Sequence, residues 1–99
     1  MGWRVTLSEQ AETDLQATVE FIATRNPDAA VRVGDELVDL ILALDELPLR
    51  VTRVKARPRL RKLVHRHYLI YYRPNESTRM VEIVRIWDGH RNPSDLKLP

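Results

Sequence analysis

One apolar stripe constrains this chain more than any other feature. Ala30, Val33, Leu37, Leu40, Ile41, Leu44 and Leu47 recur at steps of three and four residues, the spacing that lines one face of an α-helix. A helix this short is not stable in water unless it buries that face. Asn26-Pro27 supplies a cap and a proline for the first helical position, and Pro48 stops the pattern. The spacing therefore predicts a helix from Pro27 to Leu47. A second stripe precedes it. Ala11, Leu15, Thr18, Val19 and Ile22 keep the same spacing to about Thr24. Ser8 is placed to cap this first helix, with Glu9 and Glu12 near the positive end of its dipole. The short break at Asn26-Pro27 implies an antiparallel helical hairpin.

Everything else reads as strand. Residues 3–7 alternate apolar and polar, as a half-buried strand does. After Pro48 come a short edge strand around Val51 to Val54, a strand from Leu60 to Val64, and another from Tyr68 to Arg73. His65-Arg66-His67 is the tight link between the last two. Pro74 to Thr78 is a polar turn. Met80 to Trp87 is a nearly continuous apolar run, the mark of a strand covered on both faces. Asp88-Gly89 then signals a turn, and Asn92 to Pro99 an irregular tail. The expected fold is α+β: an N-terminal strand, a two-helix hairpin, then a three- to four-stranded, mainly antiparallel sheet. At 99 residues it makes one domain with one modest core.

The chain has no cysteine, which rules out disulfides and thiolate metal sites. Met1 to Ser8 lack the apolar run of a signal peptide, and no stretch approaches a membrane span. The expected location is the cytoplasm, with no membrane partner. Charge is unevenly divided. Residues 1–48 hold 3 Lys/Arg and 10 Asp/Glu, a net of −7, whereas residues 49–99 hold 13 and 4, a net of +9. That split points to a basic working surface on an acidic body.

The basic surface centres on Arg50 to Arg66, where eight Lys/Arg occur without one acid. Such a run suits nucleic-acid phosphate or an acidic protein segment, and it also serves as a solvated, aggregation-resistant edge. Arg61 and Lys62 are adjacent on a strand, so they point to opposite faces. Arg73 and Arg85 interrupt apolar strands, which calls for either a carboxylate partner or a ligand. His65, His67 and His90 are candidate acid/base groups. His65 and His67 lack further ligands of convincing spacing, so no metal site and no cofactor is expected. Trp3, Trp87 and the Tyr68/Tyr71/Tyr72 group exceed what so small a core needs, and any exposed remainder marks a protein interface.

Several of these segments, in this order, resemble the RelE/ParE toxin superfamily. They are Ser8-Glu9-Gln10-Ala11 with Asp14-Leu15, Asn26-Pro27 with Ala29-Ala30, and Leu44 with Leu47-Pro48. Next come Leu60-Arg61-Lys62-Leu63, Tyr68 to Arg73, and Val81 to Asn92-Pro93, whose end is similar to the Gly-x-Arg-x-Pro ending of the plasmid-stabilisation branch. The resemblance spans nearly the whole chain. It implies the toxin of a type II toxin-antitoxin system, neutralised by a cognate ParD-like antitoxin. The family has two activities on one fold: inhibition of DNA gyrase by ParE-like members, and ribosome-dependent mRNA cleavage by RelE-like members.

For a nuclease the resemblance assigns Arg61 and Arg85 to the scissile phosphate and His90 to proton transfer. For target binding it points to Arg57, Arg59, Arg61, Lys62 and Arg91. For the antitoxin it points to Phe21, Leu42 and Trp87. The chain departs from the nuclease pattern in two ways. The tail after His90 has no tyrosine, and the basic run has a single lysine before Arg57, Lys55, where the best-known ribonucleases of the family have a pair. Both departures favour a ParE-like poison that acts by binding and is not an enzyme. A nucleic-acid-binding module using the same basic stretch is the remaining alternative.

Overall fold

The computed structural model describes residues 2–99; Met1, the first residue of the segment searched for a leader, lies outside them. Strand β1 (Arg4–Leu7) leads into helices α1 (Glu9–Ala23) and α2 (Pro27–Leu42). Four strands follow: β2 (Arg53–Val54), β3 (Arg57–His65), β4 (Tyr68–Asn75) and β5 (Met80–Asp88). They form one five-stranded sheet in the order β1-β5-β4-β3-β2. The expected α+β architecture is the observed one. All pairings are antiparallel except β1 with β5, which runs parallel, the two strands being joined through the helical hairpin and β2 to β4 rather than by a tight turn.

Both caps form as their residue types dictate. Ser8 Oγ accepts the Ala11 N–H at 3.1 Å, and Asn26 Oδ1 accepts the Ala29 N–H at 3.0 Å. The helices approach closely where a side chain is missing: a Cβ on Gly34 would sit 3.2 Å from Val19 Cγ2. α2 is shorter than its stripe. It stops at Leu42 and passes into a 3₁₀ turn (Ala43–Asp45) that keeps Leu44 buried. Leu47 then takes a left-handed conformation, φ 51°, and stands exposed rather than in the core. Steps of three residues suit a 3₁₀ turn as well as an α-helix, so periodicity alone does not locate the change.

The core lies between the helices and one face of the sheet. Leu37, Ile41 and Ala11 meet Ile70, Tyr72, Val81 and Ile83, all nearly inaccessible to solvent. The opposite face carries a smaller cluster of Leu60, Tyr71, Val84 and Trp87, against which Leu96 and Leu98 of the tail pack. β5 is therefore covered on both faces, as its unbroken apolar run requires. No helix among the described residues is long and apolar enough to cross a membrane.

Candidate functional site

The basic run becomes one wall of a cleft of about 840 Å³. Arg53 of β2 and Arg59 and Arg61 of β3 meet Arg73 of β4 there, with Leu49 and Glu82 completing the rim. The antiparallel β3–β4 pairing and the short β2 edge collect these cations from segments some twenty residues apart. Their roles differ. Arg73 is paired with Glu82 of the neighbouring strand. Arg61 donates to the carbonyls of Leu49 and Val51 at 2.9 and 2.6 Å, and so braces the loop after α2. Arg53 and Arg59 stand exposed, with their charge available to a partner. Arg57 and Lys62 are exposed outside the cleft lining, Arg57 against the carbonyl of Ala56 at 3.1 Å.

The loop braced by Arg61 is also held from beneath. The Tyr72 hydroxyl donates to the Pro48 carbonyl, both residues being fully buried. Burial pushes the Tyr72 phenol up to about 12 and moves Tyr68 and Tyr71 in the same direction. These tyrosines stay protonated donors and packing groups and are not poised as bases.

Arg85 lies elsewhere. The register sets Arg61 opposite Tyr72 and Arg85 opposite Tyr71; neighbouring β4 residues point to opposite faces, and so do their cross-strand partners. A bulge opposite Tyr71 turns Arg85 over the free edge of β5. There it binds Asp14 of α1 through two hydrogen bonds, at 2.8 and 3.1 Å, and reaches the Lys97 carbonyl at 3.2 Å. Asp14 carries no site role in the sequence beyond its place in the family resemblance. Its position on the stripe of α1, three residues after Ala11, is the signal that marks it as buried.

The histidines separate. His65 contacts Glu36 of α2 at 2.8 Å, and Arg66 donates to the same carboxylate at 2.9 Å. Those two contacts, the Arg66 bond first, hold the Glu36 carboxyl down at about 2, and Glu36 raises the Arg66 guanidinium in turn. His90 stacks on His67, with ring centroids 4.2 Å apart, beyond the end of β5. Arg91 lies 4.2 Å over the Trp87 ring and lines a second, smaller cavity of about 380 Å³ with Asp14, Phe21 and Tyr68. Thus Arg61, Arg85 and His90, grouped by the nuclease resemblance, occupy three different surroundings.

Of the residues assigned to an antitoxin, Phe21 and Leu42 are exposed, at 59% and 57%. Trp87 is not: at 2% exposure it belongs to the outer-face cluster over which the tail packs. An apolar side chain on a strand covered by the tail has no surface left to offer, and this corrects its place among the contact residues.

A two-helix hairpin on one face of a five-stranded sheet, with a parallel β1–β5 pair, is the fold of the RelE/ParE toxins. The chain is similar to the chromosomal ParDE toxin-antitoxin system from P. aeruginosa, with a TM-score of 0.75 over 86% of this chain and 94% of that one, at 19% identity. It is similar to the toxin-antitoxin complex RelBE2 from Mycobacterium tuberculosis, with a TM-score of 0.63, 20% identity, and 87% and 96% of the chains covered. The isolated E. coli RelE toxin gives 0.60 at 14% identity, covering 94% and 90%. At these identities the likeness is one of fold. No curated protein matches the sequence. The family model of the ParE toxin of the type II toxin-antitoxin system, parDE, matches residues 5–93, and the chain belongs to that family.

Proposed function

We propose that this toxin acts by binding, with DNA gyrase as its target, and that a cognate ParD-like antitoxin holds it in check. The observation that carries the reading is the commitment of the two strand arginines. Arg61 is bound to the carbonyls of Leu49 and Val51, and Arg85 to Asp14 and the Lys97 carbonyl. A phosphate-cleaving centre needs cations and acid/base groups converging on one reacting atom. Here both guanidiniums are engaged in holding the fold, and His90 stands beside His67 and Asp88. The exposed cations Arg53, Arg57, Arg59 and Lys62, with Arg91 near the second cavity, form the surface that meets the target. Such a surface favours an acidic protein face and speeds encounter with it. The assignment of function to the cytoplasm follows from that target.

The test is DNA supercoiling by purified gyrase with the partner-free toxin titrated in. Dose-dependent loss of supercoiling is expected, and Arg53→Glu with Arg59→Glu relieves it. Intact gyrase activity in the presence of folded toxin, together with ribosome-dependent cleavage of mRNA, overturns the reading in favour of a RelE-like nuclease. Binding to free nucleic acid that falls steeply with salt, without either activity, points instead to a nucleic-acid-binding module.

A further inference from the structure

We infer that His67, Asp88 and His90 form a binding site for a divalent transition-metal ion of the zinc type. Three donor side chains gather there, and their ligating atoms lie within 4.8 Å of one another. His67 Nε2 is 3.7 Å from Asp88 Oδ1, and the two imidazoles are nearly parallel, 11° apart. The cluster is created by strand pairing. Asp88 lies opposite Tyr68 in the β4–β5 register, so the turn after β5 comes to rest against the turn before β4.

The backbone of that junction is tightly set. The Gly89 N–H donates to the His67 carbonyl at 2.7 Å, and a Cβ on Gly89 would lie 2.7 Å from the same oxygen. A glycine is what lets the two turns meet. Asp88 Oδ1 accepts the His90 N–H at 2.9 Å, which fixes the carboxylate relative to the second histidine. The donors thus stand on a held frame, and only side chains must adjust. Tetrahedral zinc with bonds of ~2.0–2.1 Å needs donor atoms ~3.3 Å apart. His90 is exposed and His67 half-buried against the Tyr68 ring, so closing the difference from 4.8 Å falls to rotation about χ1 and χ2, chiefly of His90.

The donor chemistry selects the ion. Two imidazoles and one carboxylate suit zinc, nickel, cobalt or copper, whereas magnesium and calcium prefer oxygen throughout. Two nearby cations do not contest the site. Arg66 is paired with Glu36, and Arg91 lies over the Trp87 ring. With three protein ligands, at least one coordination position is left to water or to a partner's side chain. An ion bound here ties the residues that begin the C-terminal tail to the β3–β4 turn. The site is independent of which target the toxin acts on.

The test is calorimetric titration of the full-length, tag-free protein with zinc chloride in metal-free buffer, alongside thermal unfolding. One ion per chain is expected, with Tm raised as zinc is added. His90→Ala and Asp88→Asn, both at solvent-accessible positions, should each weaken binding at least tenfold. His65→Ala should leave it unchanged, because His65 faces Glu36 instead. Failure of zinc, nickel and copper alike to bind saturably to the folded protein overturns the assignment. So does binding that persists in His90→Ala or is lost in His65→Ala.

Discussion

Asp14 holds the Arg85 guanidinium and the Ile86 backbone N–H at the same time, the latter at 2.9 Å. β1 pairs with β5 only as far as Ile83, so the strand beyond that point has an open edge. The Asp14 carboxylate does for Ile86 what a further strand would do, and Arg85 neutralises the charge that this brings into the protein. Both side chains are largely buried, 12% exposed for Arg85 and 8% for Asp14.

Breaking this pair from one side should therefore cost more than removing it whole. Asp14→Ala strands the guanidinium and leaves the Ile86 N–H without a partner. A loss of ~3–5 kcal/mol is expected, as for other broken buried pairs. Arg85→Met should be similarly costly, because it leaves the carboxylate without its counter-charge. The double variant should lose clearly less than the sum of the two. Urea unfolding of the four proteins measures the coupling, and strictly additive losses would show that the two residues do not act as a unit.

The Tyr72 hydroxyl is the only side-chain donor the structure gives the Pro48 carbonyl among the described residues. Tyr72→Phe should destabilise by ~1–3 kcal/mol, the cost of a buried acceptor left unsatisfied. The pH dependence has a definite sign. An unfolded tyrosine releases its proton near 10.0, whereas burial holds the folded group to about 12. The contribution is whole below pH 10 and is lost as the pH rises through about 12. Unfolding followed from pH 9 to 12 should fall less steeply in Tyr72→Phe than in the parent.

Much of this fold is legible in the residues themselves. The stripe of α2, the two caps and the unbroken apolar run of β5 each state a local rule that packing then obeys. The cationic cleft is legible as charge, because eight Lys/Arg within Arg50 to Arg66 must share a surface. What pairing decides is not legible. Arg61 reads as a free basic residue until the loop after α2 brings two carbonyls to it. His67 looks towards His65 along the chain, but the β4–β5 register gives it Asp88 and His90. Trp87 looks like a surplus aromatic until the tail packs over its face. Asp14 was within reach, since a carboxylate on an apolar stripe calls for a buried partner.

Glu36 links α2 to the β3–β4 turn through His65 and Arg66. Its carboxyl is held down at about 2 from an ordinary 4.5. The sign is opposite to that of Tyr72. The contribution is complete above about pH 4.5 and disappears as the pH falls through about 2, where the folded group takes its proton. Glu36→Gln cannot carry the charge in either state. Its stability should decline less between pH 4.5 and 2 than that of the parent, as followed by circular dichroism in denaturant; parallel curves would remove Glu36 from the acid response.

The exposed apolar residues of the helical hairpin are where an antitoxin is expected to dock. Val31, Val38 and Leu42 follow one another along α2 at steps of seven and four residues, and all three are exposed, at 64%, 40% and 57%. Residues so spaced share one side of a helix. Phe21 is an exposed ring on α1, at the smaller cavity it lines with Asp14 and Arg91, with the Arg25 guanidinium 5.1 Å above it. Their exposure means that a charge placed there should change folding stability by no more than roughly 0.5 kcal/mol. In an interface the same charge must be desolvated, so Leu42→Glu and Phe21→Glu should each weaken the cognate antitoxin at least tenfold, or about 1.4 kcal/mol. Titration of the antitoxin into each variant, with unfolding curves run in parallel, separates the two effects. Unaltered affinity in both variants would move the docking surface off the hairpin. Lowered affinity with an unshifted unfolding midpoint would place it there.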